Sequence, residues 1–530
     1  GGIAGVNTGT IKKATNTANV NADGASYVGG IVGQNNGKLE DMAGNSGNVT
    51  GKDFVGGVVG ENNGNGNNHD PLDKVIASNT GTVIATNGGA GGIFAVNNAG
   101  VINSELTNNG VVIGNGTTGT GGIFGVNKGD ISKTSLINKI DGQVIGISNV
   151  GGLIGVNSGT ITGGRNEVQE VDDTGKVTAE KDSYYKYQIY NNGVINVGTW
   201  NDADNELTFG GKGTNIGGLI GSNIKETING VEQTGSLTAG YNTGAINASG
   251  SENVGGIVGN NAGTVDQVFN TVMTENGQNQ TITGGTNVGG LVGYNEAHGK
   301  ITNAYNTSNV VATNQDGIVG NLVGTNTGEV KFVYGVANNL IGSGTDAVNG
   351  YVIDGSDKWL QEGTYAGFKF GANGWKIYDG STLPMLSVFL TKVTVVDQHL
   401  VDQYFSAKHY GEFHQITADD IKALIAIGAI SAPDGFGAFN NNNGLIQGVA
   451  DDAMANSGNW LYSGQIADSF VNGIFNPNNL GYDISLVYSP FELDNDPSSH
   501  WNYLFNDAPF DRNKDFRERK AEVNFVDGGM

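Results

Sequence analysis

The sequence predicts an all-β protein whose larger part is a parallel β-helix, a solenoid in which each turn of the chain, or coil, stacks on the one before. Three observations predict this fold. A glycine-rich marker, written GGIVGQNNG from Gly29, recurs in ten near-copies between Gly1 and Asn326. Five of the nine intervals between markers are 27 to 31 residues long. Each period contains about three short runs of apolar and β-branched residues separated by Gly and Asn, as expected of strands joined by tight corners.

One residue of the marker never varies in type. With the first Gly of each marker as position zero, position two is always Ile, Leu or Val, and position six is always Asn. Residues repeated once per coil lie above one another in a solenoid, where Asn side chains can pass hydrogen bonds from coil to coil. We therefore predict a buried structural ladder in one corner of the coils. Its members are Asn7, Asn35, Asn62, Asn97, Asn127, Asn157, Asn223, Asn261, Asn295 and Asn326.

The facing of the other marker positions follows from strand geometry. Alternate residues of a strand share a face, so positions zero, two, four and six are expected to point inward. Position five varies freely, as in Gln34 and Glu61, and is expected to face solvent. Position three is apolar yet falls on the outer face, so either a bulge at the Gly turns it inward or it forms an apolar outer stripe that something covers.

One interval, from Gly151 to Gly217, is more than twice the common length. The segment from Glu170 to Tyr190 lacks the marker and carries eight charged residues. Charged, Tyr-rich insertions are expected at the surface, where they keep their hydration. We therefore predict a projecting loop or hairpin there instead of two plain coils.

The chain divides into three regions. Residues 1–345 carry the repeats, 346–396 close them, and 397–530 form a smaller, mostly β carboxy-terminal region with one short helix. The stretch ITADDIKALIAIGAI predicts that helix, with Thr417 as N-cap, Ile416 and Ile421 as a hydrophobic staple and Gly428 at the end. This region either covers the open edge of the last coil or has a specific anchoring role.

Composition limits the partners. The 27 Lys and Arg stand against 51 Asp and Glu, a net charge of −24, and such a surface repels nucleic acid and anionic membranes. No apolar stretch is long enough to predict a transmembrane helix. Cysteine is absent, which suits a protein that crosses an oxidising compartment unfolded. We expect a preceding segment to hold the targeting signal.

The motifs of the sequence that come nearest to known catalytic or binding motifs are incomplete, and we predict no catalytic, cofactor-binding or metal-binding residue. The marker resembles a nucleotide loop, but no Lys-Ser/Thr follows it. HYGEFH, from His409, lacks the Cys pair of a zinc finger, so a structural His pair is the preferred interpretation. The acidic clusters NDADNE, from Asn201, and ELDNDP, from Glu492, lack the Gly and terminal Glu of a calcium loop and are interpreted as solvated turns.

Three stretches resemble two known families. NVGGIVGNNAGTV (Asn253–Val265) and NVGGLVGYNEAHGKITNAYNTSNV (Asn287–Val310) are similar to the GLUG repeat of secreted bacterial surface proteins. GANGWKIYDGSTLPMLSVFLTKVTV, from Gly371, resembles the segment that closes the repeats of filamentous-haemagglutinin-like adhesins. The family's amino-terminal secretion domain is not recognisable in this chain.

The resemblance implies a right-handed β-helix exported by two-partner secretion or as an autotransporter passenger to the surface of a Gram-negative bacterium. The implied function is that of a structural adhesin, a rod or filament for attachment, aggregation or biofilm formation. The implied partners are a carbohydrate or cell-surface ligand, an outer-membrane secretion partner and other copies of the chain through lateral self-association. No cofactor is expected. A polysaccharide lyase or glycosidase on the same fold, a toxin-delivery stalk and a surface-layer component are the alternatives.

Overall fold

A computed structural model describes residues 1–353 except 67–69, 140, 172–176, 229 and 272–280. Beyond these it describes 358, 361–370, 374–376, 384–386, 390–392, 394–395, 400, 415–417, 427, 430–431, 459–462 and 485–488. The chain forms two compact units. The first comprises Gly1–Gly164, Lys186–Met273 and Asn279–Ile353, and the second comprises Arg165–Tyr185, Thr274–Gln278 and Asp354–Met530.

The first unit is a parallel β-helix, as the period predicts. Each marker begins one coil, and the coils contribute strands to four sheets, named A to D in the order in which a coil passes through them. A coil therefore passes through four sheets, and the expectation of three runs per coil was wrong. The difference arises because the marker itself contains a corner between two strands. The right hand of the coil stays a prediction.

Sheet A holds the marker strands β1 (Ala4–Asn7), β5 (Val32–Asn35), β9 (Val59–Asn62), β14 (Phe94–Asn97), β19 (Phe124–Asn127), β24 (Ile154–Asn157), β32 (Ile220–Asn223), β38 (Val258–Asn261), β42 (Val292–Asn295), β46 (Val323–Asn326) and β48 (Ile341–Gly344). Sheet B holds β2 (Thr10–Asn16), β6 (Lys38–Asn45), β10 (Leu72–Asp73), β11 (Val75–Asn79), β15 (Val101–Ile102), β16 (Glu105–Asn108), β20 (Ile131–Ser132), β21 (Ser135–Asn138), β25 (Thr160–Thr162), β28 (Ile189–Asn191), β35 (Ser236–Asn242), β39 (Thr264–Asn270), β43 (Lys300–Asn306), β47 (Glu329–Gly335) and β49 (Val348–Val352).

Sheet C holds β3 (Val20–Ala22), β7 (Val49–Gly51), β12 (Val83–Ala85), β17 (Val111–Gly114), β22 (Gln143–Gly146), β29 (Val194–Asn201), β36 (Ile246–Asn247), β40 (Thr281–Gly284) and β44 (Asn309–Ala312), with β30 (Glu206–Phe209) attached to β29. Sheet D holds β4 (Tyr27–Gly29), β8 (Phe54–Gly56), β13 (Gly89–Gly91), β18 (Thr120–Gly121), β23 (Ser148–Gly151), β31 (Thr214–Gly217), β37 (Glu252–Gly255), β41 (Thr286–Gly289) and β45 (Val319–Gly320).

The long interval between Gly151 and Gly217 is one coil with insertions. Strand β24 pairs directly with β32, with Asn157 opposite Asn223. The inserted strands β26 (Gly164–Val171) and β27 (Val177–Tyr187) form a two-stranded sheet of their own and join none of the four coil sheets. A second insertion lengthens β29 into an antiparallel ribbon with β30. A third, the antiparallel pair β33 (Lys225–Ile228) and β34 (Val231–Thr234), lies in the next coil. Insertions thus extend a coil without shifting its register.

Sheet B turns at a residue in the left-handed backbone region. Asn103 has φ 50°, Lys133 has φ 48° and Gln267 has φ 53°. Each lies twelve residues after its marker begins. In the first two of these coils the turn splits the run into two strands, β15 and β16 or β20 and β21. Non-Gly residues in this conformation cost about 1–3 kcal/mol each, so the surrounding coil contacts must hold them in place.

The core corrects the predicted facing of the marker. Each sheet D strand ends at position zero and the next sheet A strand begins at position three, so positions zero and two do not share a strand. Position two lies in the corner between the strands. As a result both Ile31 and Val32 are 0% exposed, and the same holds for Ile123 and Phe124. Position three therefore faces the interior, and the alternative of an apolar outer stripe is wrong.

Position five is less uniform than predicted. Val6 is 57% exposed, whereas Val96 is 8% and Ser222 is 3% exposed. Gln34 and Glu61 are half-buried and hydrogen-bonded to each other at 2.6 Å. Position five therefore carries surface contacts between coils and is not a freely solvated site.

The second unit contains a 3₁₀ helix at Glu362–Thr364 and short antiparallel strands. These strands are β50 (Trp375–Lys376), β51 (Met385–Leu386), β52 (Leu390–Lys392), β53 (Thr394–Val395), β54 (Gln415–Thr417), β55 (Ile430–Ser431), β56 (Asn459–Tyr462) and β57 (Ser485–Tyr488). Trp375 is 0% exposed and stacks on Phe368 at 4.5 Å. The predicted helix falls on 418–426, outside the described residues, and Thr417 ends a strand. None of the helices among the described residues is long and apolar enough to cross a membrane.

Candidate functional site

The ten Asn of position six form one column. Nine hydrogen bonds of 2.7 to 3.0 Å connect them in chain order, each from the amide nitrogen of one Asn to the amide oxygen of the Asn in the next coil. Asn7 is 7% exposed and the others are 0% exposed. All the amides therefore point the same way, an arrangement in which hydrogen-bonded groups polarise one another.

Each ladder Asn also holds its own corner. The amide nitrogen of Asn127 donates to the carbonyl oxygen of Gly129 at 2.9 Å, and that of Asn157 donates to Gly159 at 2.8 Å. The Gly159 carbonyl also accepts from the Ser236 backbone amide of the next coil at 3.1 Å, so the Asn side chain adds a second hydrogen bond to this carbonyl. The last member of the ladder, Asn326, donates through its amide nitrogen to the carbonyl oxygen of Thr345 at 2.6 Å. One side chain thus serves the corner and the stack together.

A second interior Asn ladder was not predicted. It lies at the end of the sheet B strands, where eight hydrogen bonds of 2.7 to 3.0 Å connect nine Asn side chains. Its members are Asn16, Asn45, Asn79, Asn108, Asn138, Asn191, Asn242, Asn270 and Asn306, none more than 8% exposed. Its spacing from the marker varies with the insertions, so a fixed count misses it. The available signal was an Asn followed two residues later by a small residue, as at Asn79 and Gly81.

The second ladder explains the second Gly of the marker. A Cβ atom on Gly256 would lie 2.6 Å from the amide carbon of Asn270 and 2.0 Å from the carbonyl oxygen of Gly290. In the last coil the two residue types exchange places. Asn321 stands where the other markers have their second Gly, and Gly335 stands where the other coils have a ladder Asn. There Asn306 donates to the carbonyl oxygen of Asn321 at 2.9 Å, and the Asn321 side chain accepts from the Val336 amide at 2.8 Å. Asn321 thereby ends the second ladder.

A third Asn column lies at the surface in the left-handed conformation. Asn149, Asn215, Asn253 and Asn287 stand two residues before their markers with φ between 51° and 58°. Three hydrogen bonds of 2.9 Å connect their side-chain amides. In each of them the later Asn donates to the earlier one, which is the reverse of the direction in the interior ladders. Asn tolerates this conformation better than other side chains do, which explains its choice at this corner.

Aromatic side chains form columns beside the Asn of sheet B. Tyr190, Tyr241, Phe269 and Tyr305 stack with ring centroids 5.1 Å apart, and all are at most 3% exposed. Each precedes a ladder Asn directly in the sequence. Such contacts add about 0.5–1.5 kcal/mol per pair beyond area burial. The column therefore reinforces the later coils.

The β29–β30 ribbon packs over the outer face of sheet C. Trp200 and Leu207 of the ribbon contact a cluster formed by Ile84, Ile113 and Ile145, which are 7%, 2% and 0% exposed. The side chain of Asn115 donates to the Trp200 carbonyl oxygen at 2.6 Å and accepts from the Trp200 amide at 2.7 Å. This two-point contact fixes the ribbon on the coils.

An exposed aromatic pair stands at the start of sheet D. Tyr27 and Phe54 stack with centroids 5.4 Å apart and planes inclined by 12°, and Tyr27 is 42% exposed. Partial burial raises the pKa of the Tyr27 hydroxyl, and the negative charges of Glu61 and Asp53 raise it further. Hydrogen bonds from Asn87 and Ser26 lower the pKa of Asp53. The rings are thus flanked by two carboxylates.

Two further surface features carry charged side chains. A cavity of about 310 Å³ opens between β6 and β10, lined by charged side chains that include Lys38, Glu40 and Lys74. NDADNE forms a turn in which Asn201 donates to Asp204 at 2.6 Å. Within the described part of the chain no three His, Cys, Asp or Glu side chains cluster as metal ligands would. HYGEFH and ELDNDP lie outside that part.

Comparison with known proteins gives one family match. Residues 284–311 match the model of the GLUG motif. The matched segment runs from the end of β40 through β41, β42 and β43 into β44, so it covers one complete coil with its marker. No curated protein and no solved structure matches the chain. The GLUG resemblance is thus supported for one coil.

Proposed function

We propose that the protein is an extracellular structural adhesin, a rod or filament on a bacterial surface that mediates attachment, aggregation or biofilm formation. The observation that supports the proposal is the difference between the interior and the outward positions of the coils. The interior amides form two continuous ladders that hold coil to coil, whereas the outward positions differ from coil to coil. A scaffold of this kind presents varied side chains on a regular support. The GLUG motif in one coil fits a surface protein of this type.

The same proposal covers partners and location. The ligand is a carbohydrate or another cell-surface molecule, lateral self-association builds bundles, and an outer-membrane partner exports the chain of a Gram-negative bacterium. The adhesin is expected to have no catalytic activity. A polysaccharide-degrading enzyme on the same fold would need carboxylates from neighbouring coils gathered in one groove. A toxin-delivery stalk would carry its activity outside the coils.

Binding and cleavage can be measured together. The purified chain is applied to a panel of glycans and to whole cells, and released oligosaccharide is measured in the same samples. Retention on glycan or cells without sugar release is the expected result. Release of oligosaccharide would overturn the adhesin proposal in favour of a polysaccharide-degrading enzyme. Failure to bind either glycans or cells would favour the stalk.

A further inference from the structure

We propose that the aromatic patch, defined as Tyr27, Phe54, Asp53 and Glu61, is a binding site for a neutral saccharide. The inference rests on the proposed function and names the site that would carry it. The patch combines a stacked ring pair, in which Tyr27 is exposed and Phe54 half-buried, with two carboxylates that neighbouring side chains hold in place. The ring column stops at Phe54, because the residue opposite Phe54 in the next coil is Gly89.

The rings supply an apolar platform. Tyr27 lies opposite Phe54 in parallel strands, which sets their stacking, and Tyr27 keeps 42% of its surface exposed. Position-four Gly60 packs on the backbone of Tyr27, where a Cβ atom would lie 2.7 Å from the Val28 nitrogen. This close approach brings the following residue, Glu61, beside the ring. The carbon-bound hydrogens of a sugar ring are apolar and pack on such a platform, whose tyrosine also offers a hydroxyl.

The carboxylates are oriented before any ligand arrives. Both oxygens of Asp53 are engaged, one by the Ser26 hydroxyl at 2.8 Å and the other by the Asn87 amide at 3.0 Å. Glu61 accepts from Gln34 at 2.6 Å, and from Asn63 and Asn98 at 3.3 Å each. The long distances of the last two bonds show that Glu61 is not tightly saturated.

Acceptor capacity remains for sugar hydroxyls. A carboxylate has about four lone-pair sites, of which Asp53 uses two and Glu61 three in the contacts above. Hydroxyl groups donate to ionised acceptors in short, strong hydrogen bonds. The Lys52 ammonium lies 3.9 Å from Asp53 and offsets one of the two negative charges, whereas Glu61 forms no ion pair with any residue that the structure describes. The net negative charge that remains repels an acidic sugar, so the patch favours neutral saccharides over sialylated or sulfated ones. The chemistry therefore specifies a sugar with an apolar face and free hydroxyls.

The test uses the full chain on an array of neutral oligosaccharides ending in glucose, galactose, mannose or N-acetylglucosamine, with sialylated and sulfated glycans beside them. Binding to neutral glycans is expected. Tyr27→Ala and Phe54→Ala are expected to weaken it about tenfold or more, since each removes a stacking contact. Glu61→Gln, which keeps the shape of the side chain, should also weaken it, whereas Tyr27→Phe should retain most of it.

Tyr351→Ala is the matched control, because Tyr351 is also exposed, at 39%, and also stacked, on Tyr334 at 5.2 Å. It belongs to sheet B and should leave binding unchanged. Circular dichroism and thermal melting verify that each variant is folded. Binding that survives Tyr27→Ala, Phe54→Ala and Glu61→Gln overturns this site but leaves the adhesin in place. Preference for acidic glycans overturns the site as well. Binding of the chain to cells but to no glycan would overturn the proposed saccharide site and would leave the proposed adhesion in place.

Discussion

The side-chain amide nitrogen of Asn127 lies 2.9 Å from the amide oxygen of Asn157, thirty residues later in the chain. The same oxygen-to-nitrogen relationship connects Asn127 to Asn97 at 2.8 Å on its other side. Asn127 is 0% exposed, so no solvent replaces either partner. The stability of this coil therefore depends on an amide at this position.

Asn127→Ala is expected to lower the free energy of unfolding by about 3 kcal/mol. The substitution leaves the Asn97 amide without its acceptor, and the Asn157 oxygen and the Gly129 carbonyl without their donor, at about 1–3 kcal/mol for each buried group before relaxation. Urea unfolding measures the change. Ser132→Ala, an exposed residue of the same coil, is the control and should be nearly silent. Equal effects of the two substitutions would contradict the structural role of the ladder.

Gly256→Ala is expected to destabilise the stack by about 3 kcal/mol or more, because the added Cβ would overlap backbone. Its nearest neighbour, the Gly290 carbonyl oxygen, would be 2.0 Å away. Gly44→Ala is the matched control, since its nearest neighbour, the Ser78 hydroxyl, would be at an ordinary 3.6 Å. Thermal melting of both variants decides the point. A stable Gly256→Ala protein would mean that the coils can move apart at this corner.

Thr120→Val is expected to raise the free energy of unfolding by about 1 kcal/mol. Thr120 is 0% exposed, and its hydroxyl has no hydrogen-bond partner among the described residues. The neighbouring coil has Val150 opposite it. Replacing an unsatisfied buried hydroxyl by a methyl group removes a desolvation cost. The reverse change, Val150→Thr, should lower stability, and chemical denaturation of the pair measures the difference. A lower stability of Thr120→Val would show that the hydroxyl is satisfied in solution.

Trp200→Ala is expected to release the β29–β30 ribbon from sheet C. The indole covers the apolar cluster beneath it, and its loss leaves only Leu207 and the Asn115 contacts to hold the ribbon. Limited proteolysis should then cut at the turn around Asp204 sooner than in the unaltered protein. Phe209→Ala, on the same ribbon but 59% exposed, should change the cleavage rate little. Unchanged cleavage of Trp200→Ala would indicate that the ribbon is held by other contacts.

The carboxyl of Asp53 is expected to titrate below its ordinary pKa. The hydrogen bond from Asn87 contributes most to this shift, followed by that from Ser26. Because the folded pKa is the lower one, the unfolded chain binds more protons in acid. The stabilisation is therefore fully present above the ordinary Asp pKa and is lost as the pH falls through the folded value. Carboxyl NMR titration checks the shift, and Asn87→Ala should raise the pKa. An ordinary pKa in the unaltered protein would contradict the contacts.

The sequence predicts the fold and the first ladder because both depend on residues at fixed distances from the marker. Position six is such a residue, as Asn62 and Asn295 illustrate. The second ladder was missed because insertions of different length separate Asn191 and Asn242 from their markers. Register in space is set by pairing between coils, which a linear count does not follow.

The inward facing of position three, one of two alternatives left open by the sequence, has a different physical origin. Alternation holds only within a strand, and the second Gly of the marker interrupts it, so Ile31 and Val32 can both be buried. Tyr27 and Phe54 both stand two residues before their markers, so the period itself places them opposite each other. The ribbon contacts of Trp200, by contrast, depend on the distances between elements remote in sequence. Composition and periodicity carry no information about those distances.

The one-way direction of the interior ladders has a consequence for how the gene can change. Every interior coil offers amide nitrogens at one end and amide oxygens at the other, so any coil is a suitable successor to any other. Recombination between two similar markers adds or removes a whole coil and leaves complementary ends at the junction. Lineages can therefore lengthen or shorten the solenoid without inventing a new contact between the ladder amides.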